Sequence, residues 1–131
     1  MGFVQYNPNP MARDGIDCTV RALTKVLDIP WEEAYTMLAV KGFALNDMPN
    51  ANHVVNAVLR ENGFTRHVIP DSCPDCYTAA DFAESHPDGT YILAFGDHVC
   101  AVDSGNIYDS WDSRSRVPMF YWKKEETGKD D

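Results

Sequence analysis

Residues 98–109 read HVCAVDSGNIYD. Two short runs of β-branched and apolar residues flank Asp-Ser-Gly-Asn, the composition of a β-hairpin and its turn. If this turn closes as a two- or four-residue loop, Val102 lies opposite Ile107, Cys100 opposite Asp109 and His98 opposite Trp111. Side chains alternate along a strand, so His98, Cys100, Ile107 and Asp109 then share one face. His98 and Asp109 become diagonal neighbours, roughly 7 Å apart at the backbone, within reach of an imidazole-to-carboxylate hydrogen bond. Asp112 has the opposite parity. A three-residue loop would move the register by one and separate the two groups.

Outward from the hairpin, the second half of the chain reads as strands: TRHVIP (65–70), TYILAFG (90–96), NIYDSW (106–111) and VPMFYW (117–122), with TAADFAESH (78–86) as one helical segment capped by Thr78. The first half is helical. In IDCTVRALTKVLDI (16–29), Val20, Leu23, Val26 and Leu27 recur at helical spacing behind Asp17, a good N-cap residue, which puts Cys18 in the first turn. PWEEAYTMLAVKG (30–42) starts on Pro30, carries Glu32 and Glu33 in its first turn and is expected to stop near Gly42. ANHVVNAVLRENG (51–63) sets Val54, Val55, Val58 and Leu59 on one side, with Gly63 as its C-terminal cap. The opening stretch through Gly15 reads as irregular, because its two Asn-Pro steps bar helix before each proline. The fold class is therefore α+β, with N-terminal helices packed on a mostly antiparallel sheet.

At 131 residues the chain is one domain able to bury a real core. We place its limits at 1–122, with 123–131 as an acidic tail. Twenty acidic against eleven basic residues give a net charge of −9, which argues against nucleic acid or an anionic membrane as partner. No signal-peptide pattern and no stretch of eighteen apolar residues is present, pointing to a cytoplasmic protein. In that setting the four cysteines read as thiols, ligands or a nucleophile rather than as a disulfide framework.

An oriented imidazole needs a group to give it a proton, and Cys18 fits that role. The first turn of a helix offers unpaired N–H groups and a dipole that favour a thiolate. Each unit of pKa depression corresponds to about 1.4 kcal/mol of preference for the anion, and an adjacent imidazolium adds to it. The Cys18 amide is also an oxyanion donor by position. The bland reading of such a cysteine is a small buried hydrophobe; that of His98 is a satisfied core histidine, and that of Asp109 a residue bonding its own turn.

The order of cysteine at a helix start, histidine on a strand and aspartate on the next strand resembles the papain-like cysteine peptidases. More narrowly, DCTVRALTKVLDIPWEEAYTML (17–38) followed by GTYILAFGDHVCAVDSGNIYDSWDSRSRV (89–117) is similar to small papain-fold proteins encoded by phages and prophages. The resemblance implies a papain-like fold, Cys18 as nucleophile, His98 as base and Asp109 as orienting group, and it does not supply a substrate; we expect a peptide or protein there, with no cofactor and no metal. It implies the host cytoplasm if the chain is phage-encoded. Papain-like enzymes also carry a Gln shortly before the nucleophile to complete the oxyanion hole; here that position is Ala12, and Gln5, Asn7 and Asn9 are the upstream amides. The NlpC-type peptidases share the Asp-Cys start but continue with Ser-Gly, where this chain has Thr19 and Val20. The alternative function is a non-catalytic papain-fold binding protein, a phage accessory factor acting on a host protein.

Two further features complete the reading. Trp111, opposite His98 in this register, is placed to shield the His–Asp contact and to meet substrate. Cys73 and Cys76 have the spacing of half a zinc site or of a redox pair, with His67 and His86 as partners to consider. No second CxxC and no HxxxH is present, so a surface turn at Pro74 and Asp75 is the preferred meaning.

Overall fold

The computed structural model describes residues 2–13, 17–69 and 77–125. The elements in chain order are β1 (Phe3–Gln5), α1 (Cys18–Leu27), α2 (Trp31–Leu45), α3 (Asn52–Glu61), β2 (Phe64–Val68), α4 (Ala79–Ser85), β3 (Thr90–Ala94), β4 (Val99–Asp103), β5 (Asn106–Asp109) and β6 (Phe120–Lys124). The six strands form one sheet in the order β1-β5-β4-β3-β6-β2. Among the described residues, only the β1–β5 pairing is parallel. No helix among the described residues is long and apolar enough to cross a membrane.

Strand alternation divides the core between the two faces of this sheet. Ile92, Ala94, Ala101, Phe120 and Trp122 pack with Leu23, Val26, Leu38, Val58 and Leu59 from α1, α2 and α3. Leu93, Cys100, Val102 and Ile107 face the other way, onto Phe82 and Ala83 of α4. At about 25 cal/mol per Å² of apolar surface removed from water, these faces are what fix each helix to the sheet. Trp122, fully buried, donates its indole N–H to Asn56 at 2.9 Å, so the largest core side chain carries no unpaired polar atom.

The hairpin closes on a two-residue loop. Val102 pairs with Ile107, Ala101 with Tyr108 and Asp103 with Asn106, the register that the even loop requires. Ser104 and Gly105 take φ of 52° and 78°, the left-handed pair whose twist matches that of the flanking strands. Thr78 caps α4 through a reciprocal box with Asp81, the two bonds measuring 3.2 and 3.0 Å. Gly63 has φ 90° and donates to the Arg60 carbonyl at 3.2 Å, closing α3.

Three expectations are corrected. Helix α2 runs past Gly42 to Leu45 and ends on Asn46 in the left-handed region. Gly42 is needed for another reason: a Cβ there would sit 2.8 Å from the Asp47 carbonyl oxygen, where the chain doubles back against the helix. The opening stretch is not wholly irregular, since Phe3, Val4 and Gln5 pair with Ile107, Tyr108 and Asp109. Finally, β6 includes Lys123 and Lys124, paired with Thr65 and Phe64, so the sheet continues two residues past position 122.

Candidate functional site

The nucleophile candidate begins α1. Asp17 occupies the N-cap position, yet its side chain makes no capping bond. Its carboxylate instead accepts from the indole N–H of Trp31 at 2.9 Å, from Asn9 Nδ2 at 3.4 Å and from the guanidinium of Arg21. The Asp17 side chain therefore makes no capping bond, and no acidic residue follows it in the first turn, which leaves the amides at the start of α1 beside Cys18 uncapped.

His98 stands one residue before β4, where the β3–β4 turn meets the start of α1. Its Nε2 lies 2.7 Å from Asp109 Oδ2, leaving Nδ1 as the nitrogen for the sulfur of Cys18, to which the ring is hydrogen-bonded. Phe95 stacks near the ring at 5.9 Å and Trp111 lies at 4.7 Å, so the side chain is 9% exposed. Trp111 itself is 41% exposed and forms the outer wall over the imidazole.

Asp109 ends β5 and is buried, which makes its own contacts decisive. Besides His98 it accepts from the Ser113 hydroxyl at 2.8 Å and from the Ser110 amide at 2.8 Å, and Arg21 Nη2 approaches to 3.7 Å. Strand β1 braces its backbone: the Tyr6 amide donates to the Asp109 carbonyl at 2.7 Å. A strand absent from the reading of the sequence thus fixes the orienting residue.

The electrostatics favour a charged pair. Burial alone pushes the Cys18 thiol up, but the hydrogen bonds from His98 and the Val99 amide, with the charges of His98 and Arg21, outweigh it and hold the thiol below its ordinary 9.0. Burial alone would lower His98; hydrogen bonds to Asp109 and Cys18 and their negative charges raise it instead from 6.5 to about 9. A lowered thiol and a raised imidazole in contact favour the thiolate–imidazolium form of the pair. Cys100 contrasts with this: burial, then the nearby Asp109 charge, push its thiol far up, so it stays neutral beneath the site.

Beside the thiol is a cavity of about 160 Å³ whose walls include Cys18, Thr19, Asn50, Asn52, His98 and Trp122. The upstream amides are used elsewhere. Gln5 donates to the Ser110 carbonyl at 2.7 Å, Asn7 to the Arg13 carbonyl at 3.1 Å and Asn9 to Asp17. Ala12 has φ 54° and donates its amide to the Asn9 carbonyl at 2.8 Å.

The structure therefore brings together Cys18, His98 and Asp109, sets Trp111 against the imidazole, and leaves Gln5 and Asn7 bonded to backbone carbonyls. Two contributors escaped the reading of the sequence. Arg21 was signalled only by the i,i+4 pair with Asp17, an arrangement usual on solvent-facing helices. Ser113 carried no local pattern at all.

Cys73 and Cys76 lie outside the described residues. His67 stacks on Tyr121 at 5.1 Å and shares a hydrogen with the Thr65 hydroxyl; His86 stacks on Phe82 at 3.9 Å and bonds that residue's carbonyl. Among the described residues, no group of three or more His, Cys, Asp and Glu side chains is placed to hold a metal ion. No family model matches this chain, and no curated protein or solved structure matches it.

Proposed function

We propose that this protein is a papain-like cysteine hydrolase that cleaves a peptide or isopeptide bond, with Cys18 as nucleophile, His98 as general base and acid, and Asp109 as the orienting group. The observation that carries this reading is the 2.7 Å bond from His98 to a buried Asp109, with the other face of the imidazole on a thiol at a helix start. Its narrower form, a phage- or prophage-encoded protein acting in the host cytoplasm, rests on the resemblance of residues 17–38 and 89–117.

The chemistry follows from the pair. The Cys18 thiolate attacks the carbonyl carbon, a C–S bond forms, and the charge moves to the carbonyl oxygen, for which the Cys18 amide is the donor by position. The imidazolium of His98 gives its proton to the leaving nitrogen as the C–N bond breaks, leaving a thioester and a neutral ring. His98 then takes a proton from water, whose oxygen attacks the thioester; the C–S bond breaks and the acid product leaves with the thiolate restored. Asp109, accepting from the ring and from Ser113, keeps the imidazole turned toward sulfur.

Iodoacetamide labelling of Cys18 across pH, read by peptide mass spectrometry in the wild type and in His98→Ala, tests the reading. Rapid labelling below pH 7 that collapses in the variant supports it. An ordinary thiol profile in both proteins would overturn it and favour a non-catalytic binding role.

A further inference from the structure

We propose that Asn50 and Asn52 form a subsite for a peptide group of the substrate next to the bond attacked, making the cavity at Cys18 selective for chains that continue as polypeptide there. This rests on the hydrolase reading and names its substrate class more closely. Both residues line the same cavity as Cys18 and His98. A carboxamide carries a donor and an acceptor, the same pair that a peptide group presents, so two of them in one wall can bind a C=O and an N–H together.

Three observations favour this role. First, these carboxamides are available: among the described residues neither bonds another protein group, whereas Gln5, Asn7 and Asn9 all donate to protein oxygens. Second, their backbone is pinned. Ala51, between them, donates to the Met48 carbonyl at 3.0 Å, and its own carbonyl accepts from Val54 and Val55, each at 3.0 Å, starting α3. Val54 and Val55 are buried in the core, so the backbone that carries these two exposed side chains is held in place beside the cavity.

Third, the cavity is small and the acidic group in its wall is paired. At about 160 Å³ it is well below the ~300–1,000 Å³ of pockets that enclose drug-sized ligands, room for a group or two of a substrate and not for a large one. Asp97, the acidic group in its wall, is bonded to Arg116 at 2.9 Å. The cavity thus has polar walls that select for hydrogen-bonding pattern more than for charge.

The test compares two thiol reagents on the intact chain: acetyl-Gly-Gly chloromethyl ketone, which carries peptide groups, and methyl methanethiolsulfonate, which carries none. The ratio of their rate constants at Cys18 reads the subsite alone. In Asn50→Ala/Asn52→Ala this ratio is expected to fall about tenfold, the loss of two neutral hydrogen bonds. Asn52→Asp keeps the shape but removes the donor, and its ratio is expected to fall severalfold in a chain whose thermal unfolding is that of the wild type. An unchanged ratio in both variants would overturn the subsite while leaving the nucleophile intact. A wild-type Cys18 no more reactive to methanethiolsulfonate than a free thiol would overturn the hydrolase reading and the subsite with it.

Discussion

His98 and Asp109 are 11 residues apart in sequence and 2.7 Å apart in space, joined across a hairpin whose loop is two residues long. Asp109 is buried, so its carboxylate acts on the imidazole with little screening by water. It is one of the groups that raise His98 from 6.5 to about 9.

Asp109→Ala removes that partner. The lower edge of the labelling window of Cys18 is set by the thiol and the upper edge of the ion pair by the imidazole. Without the carboxylate the upper edge moves from about 9 toward 6.5, and the thiol, losing imidazolium beside it, moves up. Labelling of Cys18 at pH 8, where the wild-type ring is still charged and a ring near 6.5 is not, is expected to fall severalfold as the thiolate loses its counter-charge. A rate equal to wild type would mean that Asp109 serves the hairpin alone.

The same shifts govern stability against pH, with opposite signs. His98 is raised in the folded state, so its contribution is fully present below 6.5 and is lost as pH rises through about 9. Cys18 is lowered, so its contribution appears as pH rises toward the ordinary thiol value of 9.0. In the wild type the two partly offset one another. Cys18→Ser removes the rising limb, and its stability relative to wild type is expected to decline between pH 6.5 and 9, measured by urea unfolding at successive pH values. A parallel pair of curves would contradict the coupled pair.

How much of this was legible in the sequence follows the range of the interactions. The 98–109 hairpin and the helix starting at Cys18 were legible because turn chemistry and periodicity are local signals, while the register was legible only on the condition of an even loop, which the two-residue turn at Ser104 and Gly105 meets. Strand β1 was not legible, because three residues carry no alternation to count and their pairing partner, β5, lies some hundred positions away, as the 104-residue separation of the Gly2–Asn106 bond illustrates. Asp17 looked like a cap on local grounds, but Trp31 and Arg21 take its oxygens. Asn50 and Asn52 became site residues only when α3 was folded against the sheet, a step that no motif encodes.

Arg21 joins the two halves of the site, pairing with Asp17 beside the nucleophile and approaching Asp109 at 3.7 Å while only 4% exposed. Removing one partner of a buried charge cluster leaves the others desolvated and uncompensated. Arg21→Met is therefore expected to destabilise the fold by about 3–5 kcal/mol, measured by chemical denaturation. Arg21→Met/Asp17→Asn should recover part of the loss, because it also removes one of the two carboxylates left behind. A loss under about 1 kcal/mol in the single variant, typical of a surface pair, would show that the cluster is solvated.

The hairpin loop supplies the last test, because register there decides whether His98 meets Asp109 at all. Ser104 and Gly105 both hold positive φ, at 52° and 78°. Gly105→Ala places a Cβ in the left-handed region and is expected to cost about 1–2 kcal/mol. Ser104→Asn puts a residue favoured in that region at the first position and is expected to recover stability, by less than about 1 kcal/mol. If the loop matters only for stability, Cys18 labelling at pH 8 in the folded Gly105→Ala protein stays at the wild-type rate. If the loop also sets the site, part of the chain moves to a longer loop with the register shifted by one, and labelling falls in proportion, because Asp109 then turns to the opposite face from His98. Since only the even loop puts the two groups on one face, we expect the second outcome, with Ser104→Asn holding labelling at or above the wild-type rate.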